Sequence, residues 1–202
     1  MSDNIVTNVS VGTPKVKGSV FIAPYGTALP TSASAELDKA FENLGYISDA
    51  GVVNSNSVST STVKAWGKDT VLITEDEKTD TFQLTFLEAL NANVLKLVYG
   101  EDNVEGTDVK TGLTIKANST EQEDYCYVID MVLRGNTLKR ITIPCARLTE
   151  LGDVSYTDGD AIGYEVTLTC QPDTEGNTHY EYLQSSTAAE TQAETTTTKA
   201  TK

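Results

Sequence analysis

The clearest hydrophobic pattern lies between Gly67 and Gly100. Residues 81–86 alternate polar and apolar side chains, and residues 71–74 do so over a shorter stretch, which predicts two strands with one solvent-facing side. The charged segment between them, residues 75–80, is too polar to bury and predicts the tip of a hairpin. Apolar residues then recur at helical spacing up to Gly100, a residue typical of helix ends. This stretch therefore predicts a hairpin followed by one helix that packs against a sheet.

Alternation recurs along the rest of the chain and predicts a fold that is mainly β (α+β). The strongest patterns, including a short last strand or arm, cover residues 18–24, 113–117, 125–133, 138–148, 160–171 and 179–183. Residues 134–137 have the composition of a tight hairpin turn, and Pro144, which lacks a backbone donor, predicts a sheet edge or a bulge. A second short helix is predicted within residues 34–44, where Leu and Phe recur at helical spacing.

The chain divides into an arm, one domain and a tail. Residues 1–17 show no helical period and predict an extended N-terminal arm that is ordered only when something holds it. Residues 18–184 predict a single domain. Residues 185–202, rich in Thr and Ala, lack the apolar bulk that offsets the entropy of folding and predict a disordered tail.

A long polar segment interrupts the domain at about residues 50–68. Ser, Thr and Asn dominate it, which predicts a loop, and loops of this length inside a domain are usually functional or mobile. Its scattered apolar side chains are Val52, Val53, Val58, Val63 and Trp66. One explanation is that they pack against another copy of the chain. Trp66 is equally consistent with a core or edge aromatic and with an interface anchor.

Composition excludes several classes of function. The chain has 202 residues, 39% of them hydrophobic, and a net charge of −14. An acidic surface argues against a nucleic-acid reader, which needs cations to replace counterions around phosphate. The charge fits either simple solubility or a surface that nucleic acid must pass without binding. No apolar run approaches the length of a membrane span, and no secretory signal is recognisable at the N-terminus, so we expect no membrane insertion and assembly in a cytoplasm.

Candidate catalytic and metal-binding residues are few. The chain has one histidine and three cysteines without close spacing, so we expect no zinc site, no cofactor and three buried cysteines that behave as small hydrophobes. No nucleophile motif or phosphate-binding loop occurs. Asp130 lies in an otherwise apolar strand, and we expect Arg134, Lys139 or Arg140 to pair with it. The sequence therefore predicts a protein that is not an enzyme.

A series of short motifs between about Val20 and Gly100 resembles a known family. VFIAPYGTALPTSASAELDKAFENLGYISDAGV is followed by KAWGKDTVLITEDEKTDTFQLTFLEALNANVLKLVYG. Each piece is weak alone, but their order and spacing over about 80 residues resemble the major tail proteins, or tail tube proteins, of phages with long non-contractile tails (siphoviruses). The second half of the chain resembles that family in pattern more than in wording.

The resemblance implies a β-sandwich or split-barrel domain flanked by helix. Such subunits form hexameric rings that stack into a hollow tube in the virion tail, and the genome leaves through its β-lined channel. Partners would be other copies of the chain, the tape measure, tail terminator and distal tail proteins, with DNA passing without specific binding. The 50–68 loop, with the five apolar side chains named above, would contact a neighbouring subunit or ring. Acidic candidates for the channel wall are Glu75, Glu77, Asp80 and Glu165.

A second hypothesis comes from a different class. A monomeric β-sandwich binding module, of the carbohydrate-binding or adhesin type, would need an aromatic stacking platform. The residues available for it are Tyr25, Tyr46, Trp66, Tyr125 and Tyr127.

Overall fold

A computed structural model describes residues 4–15 and 18–186 and confirms a mainly β fold. The elements are β1 (Thr13–Pro14), β2 (Val20–Pro24), β3 (Glu42–Asn43), β4 (Ile47–Lys64), β5 (Thr70–Phe86), α1 (Ala92–Tyr99), β6 (Val104–Glu105), β7 (Thr114–Ile115), β8 (Asp124–Leu133), β9 (Thr137–Leu151), β10 (Tyr164–Cys170) and β11 (Tyr180–Ser185). Short 3₁₀ turns lie at Val6–Asn8 and Glu101–Asn103.

Nine of the described strands form one antiparallel sheet in the order β3-β2-β8-β9-β10-β5-β4. Two strands lie off this path, because β1 pairs with β8 and β11 pairs with β9. The sheet branches along β9: β11 pairs with its first part, opposite residues 137–142, and β10 with its last part, opposite residues 146–151. β6 and β7 form a separate two-stranded ribbon. The long strand β9 thus pairs with three other strands, β8, β10 and β11.

One face of the sheet forms the core together with α1. The helix buries Val94, Leu95, Leu97 and Val98 against apolar residues of the strands, among them Phe82, Phe86, Tyr127, Ile143 and Leu168. The Asn91 side chain caps its first turn by accepting from the Asn93 N–H, and Gly100 ends it with a positive φ of 98°. The predicted helix is confirmed, but it begins at Ala92, so Leu90 is outside it and exposed.

The opposite face of β8 and β9 is covered by the segment that follows β2. The Arg140 side chain is 2% exposed and forms a bidentate ion pair with Asp130, at 2.6 and 2.8 Å. It also donates to the carbonyl oxygens of Ser32 and Ala35, at 3.1 and 2.6 Å. The predicted pairing of Asp130 is therefore confirmed. The second helix predicted within residues 34–44 is wrong: this segment forms turns and the short β3, and its carbonyls serve Arg140 instead of helical N–H groups.

The predicted loop at residues 50–68 is also wrong. Most of it is β4, an 18-residue strand that pairs with β5 over nearly its whole length. The charged residues 75–80, predicted as a hairpin tip, lie within β5, and the turn is at residues 65–69. Alternation is absent because both faces of this ribbon are in solvent, so no face selects apolar side chains.

Several smaller predictions are confirmed. Pro144 lies beside a bulge, since Tyr125 pairs with Ala146 but Tyr127 pairs with Ile143. Gly135 and Asn136 form the predicted turn with positive φ values of 72° and 59°. The three cysteines are free and buried, at Cys126, Cys145 and Cys170. Most of the predicted C-terminal tail, residues 187–202, lies outside the described residues.

Candidate assembly surfaces

The most prominent surface is the distal part of the β4–β5 hairpin. Every residue from 53 to 78 is exposed, and we call this segment the hairpin arm. Its turn is closed by the Ala65 N–H donating to the Asp69 carbonyl at 2.8 Å and by the Lys68 N–H donating to the Ala65 carbonyl at 3.0 Å. At about 3.3 Å per residue, the hairpin arm is roughly 40 Å long from residue 53 to residue 65. Its first three residues still pair with the part of β5 that borders β10, and the rest extends beyond the sheet body.

Apolar side chains are exposed along both faces of the hairpin arm. They are Val53, Val58, Val63, Trp66, Val71, Leu72 and Ile73. Pairing in β4 places Val53 and Val63 on one face and Val58 on the other. Of the five interface residues predicted from the sequence, four are in this exposed set. Val52 is the exception, because it is half-buried and packs against the core.

Trp66 stands at the end of the hairpin arm and is fully exposed, at 106% of its reference surface. A tryptophan carries a large apolar area whose burial stabilises an interface, and tryptophan is enriched at interface centres. The possibility of a core aromatic is therefore removed. Near Trp66 the arm also exposes Val71, Leu72 and Ile73, which the alternating pattern predicts in an ordinary sheet strand. They are exposed because the turn lies at residues 65–69, which places them near the end of the arm and away from the core. The sequence pattern does not show where this turn lies.

The root of the hairpin arm is tied to the body through Asp80. Its carboxylate, whose side chain is 1% exposed, accepts from Asn54 at 2.7 Å, from Thr178 at 2.6 Å and bonds to Nδ1 of His179 at 2.6 Å. Burial opposes ionisation of this carboxyl, but these hydrogen bonds outweigh it and lower the pKa of Asp80. The ring of Phe82 meets His179 edge-on at 5.3 Å. Asp80 therefore joins β5 to the segment before β11.

The acidic residues predicted to line a channel do not share one surface. Asp80 is buried at the arm root, so its assignment to a channel wall is wrong. Glu77 pairs with Ser59 and Glu75 with Thr60, because a bulge in β5 lies between them. Adjacent residues of β4 point to opposite faces, so Glu75 and Glu77 lie on opposite faces of the hairpin arm. Glu165 alone lies on the uncovered face of the sheet body.

That uncovered face, formed by β5, β10 and the end of β9, is polar and rich in hydroxyl and amide groups. The Gln83 amide donates to Glu165 at 2.5 Å, and the hydroxyls of Thr149 and Thr169 lie 2.7 Å apart. Further members are Thr81, Thr85, Thr167 and Arg147. The guanidinium of Arg147 hydrogen-bonds to Asp124 and lowers the pKa of that carboxyl. We call this surface the polar sheet face.

The aromatic residues of the second hypothesis do not form a surface platform. Tyr127 is fully buried in the core, and Tyr125 is 9% exposed. Burial raises the pKa of Tyr125 to about 12. Only Tyr25, Tyr46 and Trp66 of the five are exposed. Tyr125 and Tyr127 are thus core residues and are not available to stack on a ligand.

Metal-ligand clusters and membrane-spanning helices are absent from the part of the chain described. Within residues 4–15 and 18–186, no three His, Cys, Asp or Glu side chains are grouped as metal ligands. No helix among these residues is long and apolar enough to cross a membrane. The surfaces that remain are the hairpin arm, the sheet edges and the polar sheet face.

Comparison with known families shows which family the chain belongs to. A family model described as "Phage tail tube protein" matches residues 10–195, which include the hairpin arm and every strand. A search of curated proteins finds no match. The protein is a structural component of the virion tail and not an enzyme, and it works in an assembly with other tail proteins. Since the match covers most of its length, the chain belongs to the phage tail tube protein family.

Proposed function

We propose that this protein is the tube subunit of a phage with a long non-contractile tail. Copies assemble in the host cytoplasm into hexameric rings, and the rings stack into a channel through which DNA leaves the virion. The observation that carries this proposal is the hairpin arm, an exposed ribbon with apolar side chains on both faces. A two-stranded ribbon is marginally stable on its own in water, and a neighbouring copy supplies the missing contacts.

The hairpin arm makes the contact between rings in this proposal. The hairpin arm is roughly 40 Å long, which is more than two flat subunit faces would need in order to touch. Val53, Val58, Val63 and Trp66 bury apolar surface on the neighbour, and so do Leu72 and Ile73 on the same ribbon. Residues 4–15, whose exposed side chains include Ile5, Val6, Val9 and Val11, form a second contact.

Neighbours within a ring pair through sheet edges. β4 is the last strand of the sheet on one side, and the two-residue β3 ends the other side. Exposed edges recruit other strands, and a closed ring uses this tendency without leaving a free edge. In this arrangement residues 18–184 are the ring-forming domain. Residues 1–17 and 185–202 flank this domain in the sequence as the proposed arm and tail.

The polar sheet face lines the channel in this proposal, with Glu165 as its acidic residue. Hydroxyl and amide groups offer DNA no strong binding sites. The cationic side chain of Arg147 on this face is paired with Asp124 and Glu121. The net charge of −14 repels phosphate and keeps passing DNA from adhering. Glu75 and Glu77 lie on the hairpin arm, so at most one of them shares this wall.

The other partners follow from the role in the tail. A tape measure protein occupies the channel before ejection, a distal tail protein starts the stack, and a tail terminator ends it. These partners are recognised by the same ring faces that stack on one another.

Sedimentation and negative-stain electron microscopy of the purified protein test this proposal. We expect rings or hollow tubes that increase with protein concentration, alone or after addition of the distal tail protein as initiator. A protein that stays monomeric under both conditions would refute the proposal.

A further inference from the structure

A groove on the body lies beside the start of β4. It has a volume of about 440 Å³ and is lined by two charged residues, Lys15 and Glu88, together with Pro14, Gly18, Ser19, Asn43, Gly45, Tyr46 and Ile47. We call it the Glu88 groove. The Tyr46 ring is 77% exposed, so the groove presents an aromatic surface to solvent. The glycines let two side chains approach the backbone closely, because the Glu88 carboxylate fills the space at Gly45 and the Asn43 side chain fills the space at Gly18. The size of the groove is in the range of sites that take small ligands or aromatic anchors.

The Glu88 carboxylate in this groove has hydrogen-bond donors but no cation paired with it. Glu88 is half-buried, and its carboxylate accepts from the Tyr46 N–H at 3.0 Å and from the Asn91 amide at 3.0 Å. Lys15 lines the same groove, but its ammonium pairs with Asp130 at 3.4 Å. No Lys or Arg of residues 4–15 and 18–186 forms an ion pair with Glu88. A partly desolvated carboxylate is stabilised by a further donor or a cation.

The tip of the hairpin arm has the complementary chemistry. Trp66 offers an apolar ring with one N–H donor, and tryptophan donates but does not accept. Lys64 and Lys68 outnumber Asp69 around it, so the tip is locally cationic on a protein whose net charge is −14. The tip lies roughly 40 Å from the arm root, whereas the Glu88 groove lies at the start of β4, near Ile47, on the far side of that root from the tip. The tip therefore meets this groove only on another copy.

We propose that Trp66 of one copy seats in the Glu88 groove of a second copy in the next ring. The indole packs on Tyr46 and Pro14, its N–H donates to the Glu88 carboxylate, and Lys68 adds a cation beside it. This inference rests on the proposed function and specifies where the hairpin arm docks.

A second groove, lined by β2 and α1, is the competing site. Its volume is about 370 Å³, and it includes Lys96 and Glu101. These two charges already pair with each other at 2.5 Å, so the groove has less to gain from a cationic tip. The Glu88 groove combines an exposed aromatic ring with a carboxylate that lacks an ion-pair partner among the described residues, and we therefore favour it.

Intrinsic fluorescence reports on the seat of Trp66, because it is the only tryptophan in the chain. We expect its emission maximum to move to shorter wavelength when rings stack. Tyr46→Ala should raise the protein concentration needed for stacking by about tenfold or more, as loss of a contact at an interface centre does. Tyr25→Ala, which removes another exposed tyrosine, is the matched control and should behave as the wild type. Equal behaviour of both variants would overturn the docking site.

Cysteine cross-linking tests the contact directly. Ala65→Cys next to Trp66, combined with Pro14→Cys at the groove, should give a ladder of dimers, trimers and longer species on a non-reducing gel of assembled protein. The natural cysteines are buried and contribute no background. Ala65→Cys with Tyr25→Cys, a position next to the competing groove, should give no ladder. A ladder from this second pair alone would overturn the assignment in favour of that groove.

These outcomes are separable from failure of the proposed function. If the wild-type protein forms no rings or tubes, the proposed function fails and this inference falls with it. If tubes form but Trp66 emission is unchanged, or the first cysteine pair gives no ladder, the tube function stands and the docking site is refuted.

Discussion

Removal of the hairpin arm should abolish assembly and leave the fold intact. The variant replaces residues 57–79 by Asn-Gly, which joins Asn56 to Asp80, a cross-strand pair in the native register. The hydrogen bonds of Asp80 to Asn54, Thr178 and His179 are retained. The variant therefore keeps every buried residue and the connection between β5 and the segment before β11.

The expected cost in stability follows from burial. All removed residues except Thr79 are exposed, and apolar surface contributes about 25 cal/mol per Å² only when it leaves water. We expect a change in the free energy of unfolding within about 1 kcal/mol, which shifts the melting temperature by about 2–4 °C. Leu97→Ala, which empties a site buried in the core, should cost about 2–5 kcal/mol and shows that the assay is sensitive.

Two assays decide the result. Thermal and urea unfolding measure stability, and electron microscopy measures assembly under conditions in which the wild type forms tubes. A loss of several kcal/mol would mean that the hairpin arm belongs to the folding unit. Tubes of normal length and stability from the armless variant would mean that the arm is not the contact between rings.

Two further predictions concern buried charges. Arg140→Ala removes the donor of two carbonyls and the bidentate partner of the Asp130 carboxylate, which keeps only Lys15 at 3.4 Å. It should therefore lower the free energy of unfolding by about 3–5 kcal/mol in urea titrations, whereas Arg134→Ala in an exposed turn should change it by less than about 0.5 kcal/mol. The pKa of Asp80 is lowered in the folded state, so its stabilisation is present above the ordinary value of 3.8 and is lost as pH falls through the lower, folded value. We therefore expect Asp80→Asn to lose less stability than the wild type when the pH is lowered from about 5 to about 2. An equal loss in both proteins would contradict a stabilising role for the ionised Asp80 carboxylate.

The sequence predicts those strands of which one face is covered. In β10 and in the last part of β5, burial alternates residue by residue, because one face meets the core and the other is the polar sheet face. The same reasoning misses the hairpin arm. Both of its faces are in solvent within one copy, so its Ser, Thr and Val residues follow no period and resemble a loop.

Contacts between residues far apart in the sequence account for the other differences between the predicted and the observed structure. The apolar spacing in residues 34–44 fits a helix, but Arg140, about a hundred positions later, takes the carbonyls of Ser32 and Ala35 as acceptors. Asp80 sits in a charged run that reads as solvated, yet Thr178 and His179 bury it. Neither partner is visible from local pattern. Four of the five apolar residues selected from the sequence are exposed on the hairpin arm, and their role at an interface stays a prediction.

A helical reconstruction of the assembled tube by electron cryomicroscopy tests the central claim most directly. We predict rings of six copies in which the hairpin arm of each subunit reaches the adjacent ring and the polar sheet face, with Glu165, lines the channel. A tube in which residues 53–78 contact no neighbouring copy would contradict the account.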